Sequence, residues 1–265
     1  MSRSILHRLT PDARWRLTVV TALMSLLVFL ALLGEAKANP VTPVRPRVLV
    51  TPVDVQKFQA RRLANDPAWI ALKAKADEYV SQPIQPYNKN TVSSGWNGTL
   101  FYTYSGSEWE YAAMTLGLAY LASGDTVYSN KMFALADEMV RAENDPMNTP
   151  ANGGISPFRY NYAFASRHLG KAIAVIYDWA YPRLSPQRKA AYGALMKQWL
   201  SHLRNYEGYG TYQNTGPATG NYYGGHMAAA GFMGLALAGD DPEANRMIAW
   251  ARARFDGTPS PLLTL

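Results

Sequence analysis

Aromatic side chains are concentrated in segments of the sequence that lack helical periodicity. Flat amphipathic rings suit sugar recognition, because one apolar face stacks on the sugar while a hydroxyl or indole nitrogen still forms hydrogen bonds. We interpret these residues as candidate carbohydrate contacts, with ordinary packing of long loops as the alternative. The set comprises Trp96, Tyr102, Tyr104 and Trp109 in one segment, and Tyr206, Tyr209, Tyr212, Tyr222 and Tyr223 in another.

Two arginines and a histidine stand close together in the middle of the sequence. Arg159 and Arg167 could each hold a carboxylate through two parallel hydrogen bonds, a geometry that the planar guanidinium favours. The alternative for both is an ordinary surface charge. His168 adjoins Arg167 and is either a contact to the same ligand or a buried core histidine. These residue types suit a ligand that carries a carboxylate.

Acidic residues raise a different possibility, the paired carboxylates of a glycoside hydrolase. Glu108 and Glu110 are two residues apart and point in different directions on a helix, so a partner would have to be Asp178 or Glu207. Acidic residues in a first helical turn also complement the helix dipole, which is the simpler interpretation. Asp178 lies at a predicted helix end, where a structural role is expected.

Proline residues that follow a capping side chain mark four helix starts, at Thr51-Pro52, Asp66-Pro67, Ser185-Pro186 and Asp241-Pro242. With the apolar periodicity, these signals predict helices near residues 52–64, 67–81, 108–123, 127–143, 162–181, 186–204, 224–238 and 242–254. Short β-like runs occur at 48–50 and 100–104, and residues 39–50 are predicted as an extended N-terminal arm or strand. The fold class predicted is all-α.

The predicted helices pair into three hairpins, each an Ala/Gly-rich helix, a short turn and an amphipathic helix. The hairpins recur about every 55 to 60 residues, which is typical of a helical repeat with apolar helices inside and mixed helices outside. Long segments connect them at 82–107, 144–161 and 205–223. Connections of this length in a compact domain are usually functional or disordered, and their aromatic content argues against disorder.

The first 38 residues have the parts of a secretion signal. A basic start precedes the uncharged run Leu17–Leu33, and the small residues Ala36 and Ala38 follow it. We predict cleavage before Asn39 and a periplasmic or secreted location. The alternative is an uncleaved single N-terminal anchor, since 17 uncharged residues are at the short end of a membrane span.

Charge and cysteine content exclude several classes of function. The chain has 26 basic and 19 acidic residues, and without the predicted leader 21 and 17 remain, a net charge of +4. This mild balance without a long basic run argues against nucleic acid and suits an acidic small molecule or polymer. No cysteine is present, and the only histidines after the leader are His168, His202 and His226, so no metal or other cofactor is predicted.

Three motifs in sequence order resemble one known family. Residues 45–52 (RPRVLVTP) with 66–69 (DPAW), residues 176–186 (IYDWAYPRLSP) and residues 221–226 (NYYGGH) are similar to motifs of exported heparinase II/III-like polysaccharide lyases. The resemblance covers most of residues 45–257. It implies an incomplete (α/α) toroid for residues 51–265. A β-sandwich domain follows in that family, so we expect a domain truncated at its C-terminus.

The resemblance also implies a reaction, β-elimination next to a uronic acid. The sugar carboxylate must be neutralised, a base must take the C5 proton, and an acid must protonate the leaving oxygen. The resemblance implies Asn221 as neutraliser, His226 as base, and Tyr160 or Tyr162 as acid or as both base and acid. In the family Asn and His are often adjacent, whereas here they are five residues apart.

Each of these assignments has a structural alternative: a loop or cap residue for Asn221, a buried histidine for His226, and packing aromatics for the tyrosines. Three functions therefore stay open. The first is a lyase acting on an acidic polysaccharide or oligosaccharide; the second is a glycan-binding or inactive remnant; the third is a glycoside hydrolase on the same toroid. Neither nucleic acid nor, after signal cleavage, a membrane is expected as a partner.

Overall fold

The computed structural model describes residues 44–84, 86–87, 106–154, 156–159, 165–205 and 221–255, all within the unit Val41–Leu265. Of these residues 79% are helical and none is in a strand. The prediction of an all-α fold is therefore confirmed. The predicted leader and the β-like run at 100–104 lie outside the described residues.

The α-helices of the described ranges are α1 (Pro52–Leu63), α2 (Pro67–Ser81), α3 (Ser107–Ser123), α4 (Thr126–Asn144), α5 (Ser166–Trp179), α6 (Pro186–Asn205), α7 (Asn221–Leu237) and α8 (Glu243–Phe255). Short 3-10 turns follow α4 and α5. Most helix ends fall within two residues of the predicted positions. The starts of α5 and α7 differ more, since these helices begin at Ser166 and Asn221 against predicted starts at 162 and 224.

Local capping explains why the sequence-based boundaries agree so well. At the start of α1, Thr51 and Asp54 form a reciprocal capping box, and Pro52 occupies the first helical turn. The Asp66 carboxylate accepts from the Ala68 amide, again with proline at the first position. Gly124 ends α3 in the left-handed conformation at φ 73°, and α4 begins two residues later.

The described part of the arm before α1, residues 44–50, is not a strand, in contrast to one of the two predictions for this segment. Leu49 has φ 63°, in the left-handed region, and the Val50 amide donates to the Val48 carbonyl at 2.8 Å. This reversal interrupts the extended backbone that a strand needs. Val48 is fully buried in the core, while Leu49 is exposed.

The helices α3, α5 and α7 run parallel to one another. Near their starts, Glu110 on α3 contacts His168 on α5; further along, Gly117 on α3 packs against Trp179 on α5. The helices α5 and α7 also pack closely at Gly170 and Ala229. A Cβ added at Gly170 would lie only 2.7 Å from the Cβ of Ala229. Short turns after each helix make α4, α6 and α8 antiparallel to these three.

This arrangement gives the helices two different ends. At the loop end, defined by residues 106–110, 142–144, 165–171, 199–205 and 221–226, the starts of α3, α5 and α7 meet the last residues of α4 and α6. At the turn end, defined by residues 44–50, 177–183 and 235–241, the short hairpin turns meet the arm. The long connecting segments of the sequence all join elements at the loop end.

At the turn end, one buried carboxylate holds the arm against the helices. Asp178 accepts hydrogen bonds from the Arg47 and Val48 amides at 2.7 and 2.8 Å and pairs with the Arg45 guanidinium at 2.7 Å. Its neighbour Trp179 donates from the indole nitrogen to the Val48 carbonyl at 2.8 Å. The first two motifs of the sequence therefore contact each other in one structural joint.

Candidate functional site

At the loop end, the predicted site residues Arg167 and His168 interact with two further ionisable side chains, Glu110 and Lys171. Glu110 lies in the first turn of α3, and its carboxylate is buried. It accepts from Nδ1 of His168 at 2.5 Å and forms an ion pair with Lys171, both on α5. His168 and Lys171 are three residues apart, so the helix places them on one face toward α3. We call Glu110, Arg167, His168 and Lys171 the loop-end cluster.

Glu110 is ionised at neutral pH. Burial by itself raises its pKa, but the hydrogen bonds from His168 and Lys171 and the positive charge of Lys171 outweigh burial, and the pKa of Glu110 lies below its ordinary value. A buried carboxylate that keeps its charge needs such partners. Lys171 therefore compensates the charge of Glu110, and the remaining charge of the cluster depends on Arg167 and His168.

The protonation of His168 follows from its two neighbours. Nε of Arg167 donates to Nε2 of His168 at 2.9 Å, and a guanidinium has no acceptor. Nε2 must therefore carry the lone pair, while Nδ1 carries the hydrogen that bonds to Glu110. His168 is thus a neutral imidazole between a carboxylate and a guanidinium. With both nitrogens engaged, it is poorly suited to take a proton from a substrate.

Arg167 is held from a second side by the third sequence motif. Gly225 in the first turns of α7 faces the Arg167 stem, and a Cβ at position 225 would lie 2.6 Å from that of Arg167. Glycine is therefore required here for close approach of α7 to α5. His226 follows and is buried, with 2% of its surface exposed. Asn221 begins α7 at the same end; its side chain lies outside the described part of the structure.

A second buried carboxylate, Glu143, lies near the end of α4 at the loop end. Burial raises its pKa, and the nearby polar groups of Ser156, Trp199 and the Phe158 amide, with the charge of Arg159, oppose this only in part. Its Oε2 makes no hydrogen bond of good geometry to any described residue. Nε2 of His202 on α6 lies 3.9 Å from its Oε1. Burial, with Arg159 nearby, lowers the pKa of His202.

The structure brings only some of the predicted site residues together. Arg167 and His168 meet in the loop-end cluster, and Arg159 is half-buried close to Glu143. Trp109 is 3% exposed and belongs to the hydrophobic core, so its ring packs within the fold. Outside the described residues lie Trp96, Tyr102, Tyr104, Tyr160, Tyr162 and Tyr212, together with the side chains of Tyr222 and Tyr223.

Four residues of the loop end are not predicted as binding residues from the sequence. Lys171 lies one turn after Arg167 and His168, a spacing that places basic side chains on one helix face and could have identified it. Glu110 was considered only as an acid of a carboxylate pair. Glu143 and His202 carry no signal in the sequence, because their proximity depends on how α4 packs against α6.

Of the acidic residues considered for a glycoside hydrolase, the described ones, Glu108, Glu110 and Asp178, do not face one another, and Glu207 lies outside the described residues. Glu108 accepts a hydrogen bond from the Tyr79 hydroxyl, while Glu110 is engaged by His168 and Lys171. Asp178 lies at the turn end, at the opposite end of α5, where it holds the arm. Its structural role matches the simpler interpretation of the sequence.

Comparisons with known proteins add no family assignment, since no family model and no curated protein matches the chain. Within the described ranges, no group of three acidic, histidine or cysteine side chains is arranged to hold a metal ion. No helix of those ranges has both the length and the apolar character needed to cross a bilayer.

Proposed function

We propose that the chain is the helical part of an exported polysaccharide lyase-like protein that acts on an acidic, uronate-containing glycan by β-elimination. The observation that carries the proposal is the placement of Arg167 at the loop end, oriented by His168 and Gly225 where the starts of α3, α5 and α7 converge. The hairpin order also supports the toroid that the resemblance implies, with α3, α5 and α7 as the inner helices.

Electrostatics at the loop end favour an anionic ligand. Each helix start carries about half a positive charge from its unsatisfied amides, and three parallel helices present this charge at one end. In the loop-end cluster, Glu110 and Lys171 offset each other, and the Arg167 guanidinium is a further cation at this end. A sugar carboxylate is a ligand of matching charge and planar shape.

The reaction assigns different tasks to the residues of this end. Arg167, with Asn221, neutralises the uronate carboxylate and so makes the C5 proton more acidic. A base removes that proton, the electron pair forms the C4–C5 double bond, and the C4–O bond breaks as an acid protonates the leaving oxygen. The candidates for base and acid are His226, Tyr160 and Tyr162. His168 holds Arg167 and does not transfer the proton.

The test is to incubate the 265-residue chain with heparan, chondroitin, hyaluronan, alginate and pectate polymers and follow ultraviolet absorbance. The unsaturated product of β-elimination absorbs, whereas the substrate does not. Rising absorbance with one polymer, lost in Arg167→Ala, supports the proposal. New reducing ends without absorbance would instead indicate a glycoside hydrolase and would overturn it.

A glycan-binding protein without catalysis is the second candidate, favoured by the burial of His226. A base has to reach the substrate, and a side chain with 2% exposure has little access to one. This function predicts binding of a uronate oligosaccharide without product, and an affinity that is unchanged in His226→Ala. Measuring binding and absorbance on the same protein separates the two functions.

A further inference from the structure

A second pair of titratable side chains lies at the loop end, outside the loop-end cluster. Glu143 belongs to the last turn of α4 and His202 to the last turn of α6, and Oε1 of Glu143 lies 3.9 Å from Nε2 of His202. We propose that Glu143 and His202 share one proton and deliver it to the leaving oxygen of a sugar substrate at the loop end. This inference rests on the proposed function and assigns the acid of that reaction to a pair that no sequence motif indicates.

The two side chains differ in their access to solvent. The Glu143 side chain is 1% exposed, whereas that of His202 is 29% exposed. A substrate can therefore reach the imidazole but not the carboxyl group. His202 is the candidate catalytic residue of the pair, and Glu143 acts through it as a second site for the same proton.

The carboxyl group of Glu143 is buried without the full set of partners that a buried charge needs. Ser156, Trp199 and the Phe158 amide lie close to it, and Arg159 is the nearby positive charge. Its Oε2 nevertheless makes no hydrogen bond of good geometry to a described residue, nor does the indole nitrogen of Trp199. This environment stabilises a charged carboxylate only in part.

The same environment makes it possible for the pair to share a proton. Burial raises the pKa of Glu143, while burial and the charge of Arg159 lower the pKa of His202. An exposed imidazole holds a proton more tightly than an exposed carboxylate, so these opposite shifts bring the two groups closer in proton affinity. The proton can then reside on either group, and the pair titrates as a unit.

The pair lies beside the helix that carries Arg167 and His168. Ala142, which precedes Glu143 on α4, lines a small cavity together with Leu169, which follows His168 on α5. The end of α4 therefore packs against the start of α5. The proposed acid and the proposed carboxylate-binding residue thus belong to neighbouring helices at one end of the fold.

The proton transfer balances within the pair. Glu143 passes its proton to Nε2 of His202, and His202 gives the hydrogen on Nδ1 to the leaving oxygen as the C4–O bond breaks. A carboxylate and a neutral imidazole remain, and the pair recovers its proton from water. The contact of 3.9 Å has to shorten for the first transfer, as catalytic contacts often do when a substrate binds.

The shared proton can be tested without any ligand. The chain labelled with ¹⁵N-histidine is titrated by nuclear magnetic resonance, and the His202 signals are identified by their loss in His202→Gln. We expect His202 to titrate in two steps, because the first proton is shared with Glu143 and the second fills the remaining site. In Glu143→Gln only one step should remain, at lower pH, since the imidazolium no longer faces a carboxylate.

Glu138→Gln is the matched control for this titration. It makes the same substitution on the same helix but removes a carboxylate that pairs with Arg141, so both steps of His202 should persist. The same single step in the unchanged chain and in Glu143→Gln would overturn the shared proton, whatever the function of the protein.

The role as acid is tested by following ultraviolet absorbance with two kinds of substrate. A uronate tetrasaccharide has a sugar hydroxyl as leaving group, which needs a proton, whereas a uronate that carries fluorine at C4 releases fluoride without one. We expect Glu143→Gln and His202→Gln to lose about 100-fold in kcat on the tetrasaccharide, within the range of general acid catalysis, and much less on the fluoride.

The outcomes separate an acid from a structural role. Equal losses on both substrates would overturn the acid, because a distorted site slows both reactions alike. Glu138→Gln should turn over both substrates at the unchanged rate, and thermal unfolding shows that the three variants fold. If the unchanged chain forms no unsaturated product from either substrate, the proposed function and the acid are both overturned, and the titration of His202 still decides the shared proton.

Discussion

The two ends of α5 each carry an ion network built around a carboxylate. At the turn end, Asp178 has no exposed side-chain surface, and its oxygens bond to two backbone amides and to Arg45. At the loop end, Glu110 is also buried, but its partners are the ends of side chains that are partly exposed, 13% for His168 and 22% for Lys171. The same helix therefore supports two networks of different construction.

The two networks differ in the groups that they connect. Asp178 binds the Arg47 and Val48 amides and the Arg45 guanidinium, which also pairs with Asp240, so this network holds residues 45–48 against the helices. The described contacts of Glu110 are with His168 and Lys171 of α5, and His168 in turn contacts Arg167. The first network attaches a chain segment to the helices, whereas the second joins side chains at the starts of two neighbouring helices.

The largest effect is expected when the turn-end network is broken. Asp178→Ala removes the acceptor of two backbone amides and one carboxylate partner of Arg45, which should cost about 3–5 kcal/mol of unfolding free energy. Denaturant unfolding measures this loss. The control is Glu78→Gln, which breaks an exposed pair with Lys75 and should cost less than about 1 kcal/mol. Similar losses in both variants would contradict the distinction.

Two glycines near the turn end provide a second test, because alanine at one position should destabilise the fold and alanine at the other should stabilise it. A Cβ on Gly117 would clash with the Trp179 ring, so Gly117→Ala should destabilise by about 1–3 kcal/mol through overpacking. A Cβ on Gly193 of α6 would lie 3.7 Å from Leu237, an ordinary contact. Gly193→Ala should therefore gain up to about 1 kcal/mol from helix propensity. Denaturant midpoints of the two variants, measured together, provide the comparison, and a shift of the same sign in both would count against it.

The elements of the fold could be predicted because their signals are local. Capping residues before proline, such as Asp66 before Pro67, and a turn glycine such as Gly124 set helix boundaries within a few residues of sequence. The strand alternative for the arm failed for a reason that is not local. Val48–Val50 have β-forming side chains, but no strand among the described residues pairs with them, and Trp179 and Asp178 bind the Val48 backbone.

The candidate site could be predicted only in part. Arg167 and His168 were recognised by residue type, since both suit an acidic ligand. Their connection to Glu110 requires the parallel packing of α3 and α5, which no local pattern specifies. The same holds for Asp178, whose role depends on an arm far away in the sequence. Residue types indicate what chemistry is available, whereas packing decides which groups meet.

At the loop end, Arg167→Lys tests whether ligand binding depends only on the positive charge or also on the planar shape of the guanidinium. Lysine keeps the positive charge but has no planar fork and no Nε–H to bond to His168. We expect affinity for a uronate oligosaccharide to fall about tenfold, measured by calorimetry. The control is Arg188→Lys on α6, which alters an exposed ion pair with Asp137 on α4 and should leave affinity unchanged. Full affinity of Arg167→Lys would show that charge alone suffices there.

The smallest expected effect concerns Glu143, which contrasts with Asp178 because its burial is poorly compensated. Burial raises the pKa of Glu143, so the folded state binds a proton that the unfolded state releases, and stability falls as pH rises above the ordinary glutamate value. Glu143→Gln removes this dependence. The variant should therefore gain stability relative to the unchanged chain as pH increases from about 4 to about 8, measured by denaturant midpoints.

Asp77 provides the control of opposite sign for Glu143. Hydrogen bonds from Lys73 and Tyr128 lower the pKa of Asp77, so its contribution to stability is present above the ordinary aspartate value and is lost as pH falls. Asp77→Asn should therefore lose stability relative to the unchanged chain as pH rises, while Glu143→Gln gains it. If Glu143→Gln also lost stability toward higher pH, Glu143 would be a compensated carboxylate like Asp178. The contrast between the two ends would then rest on Arg167 alone.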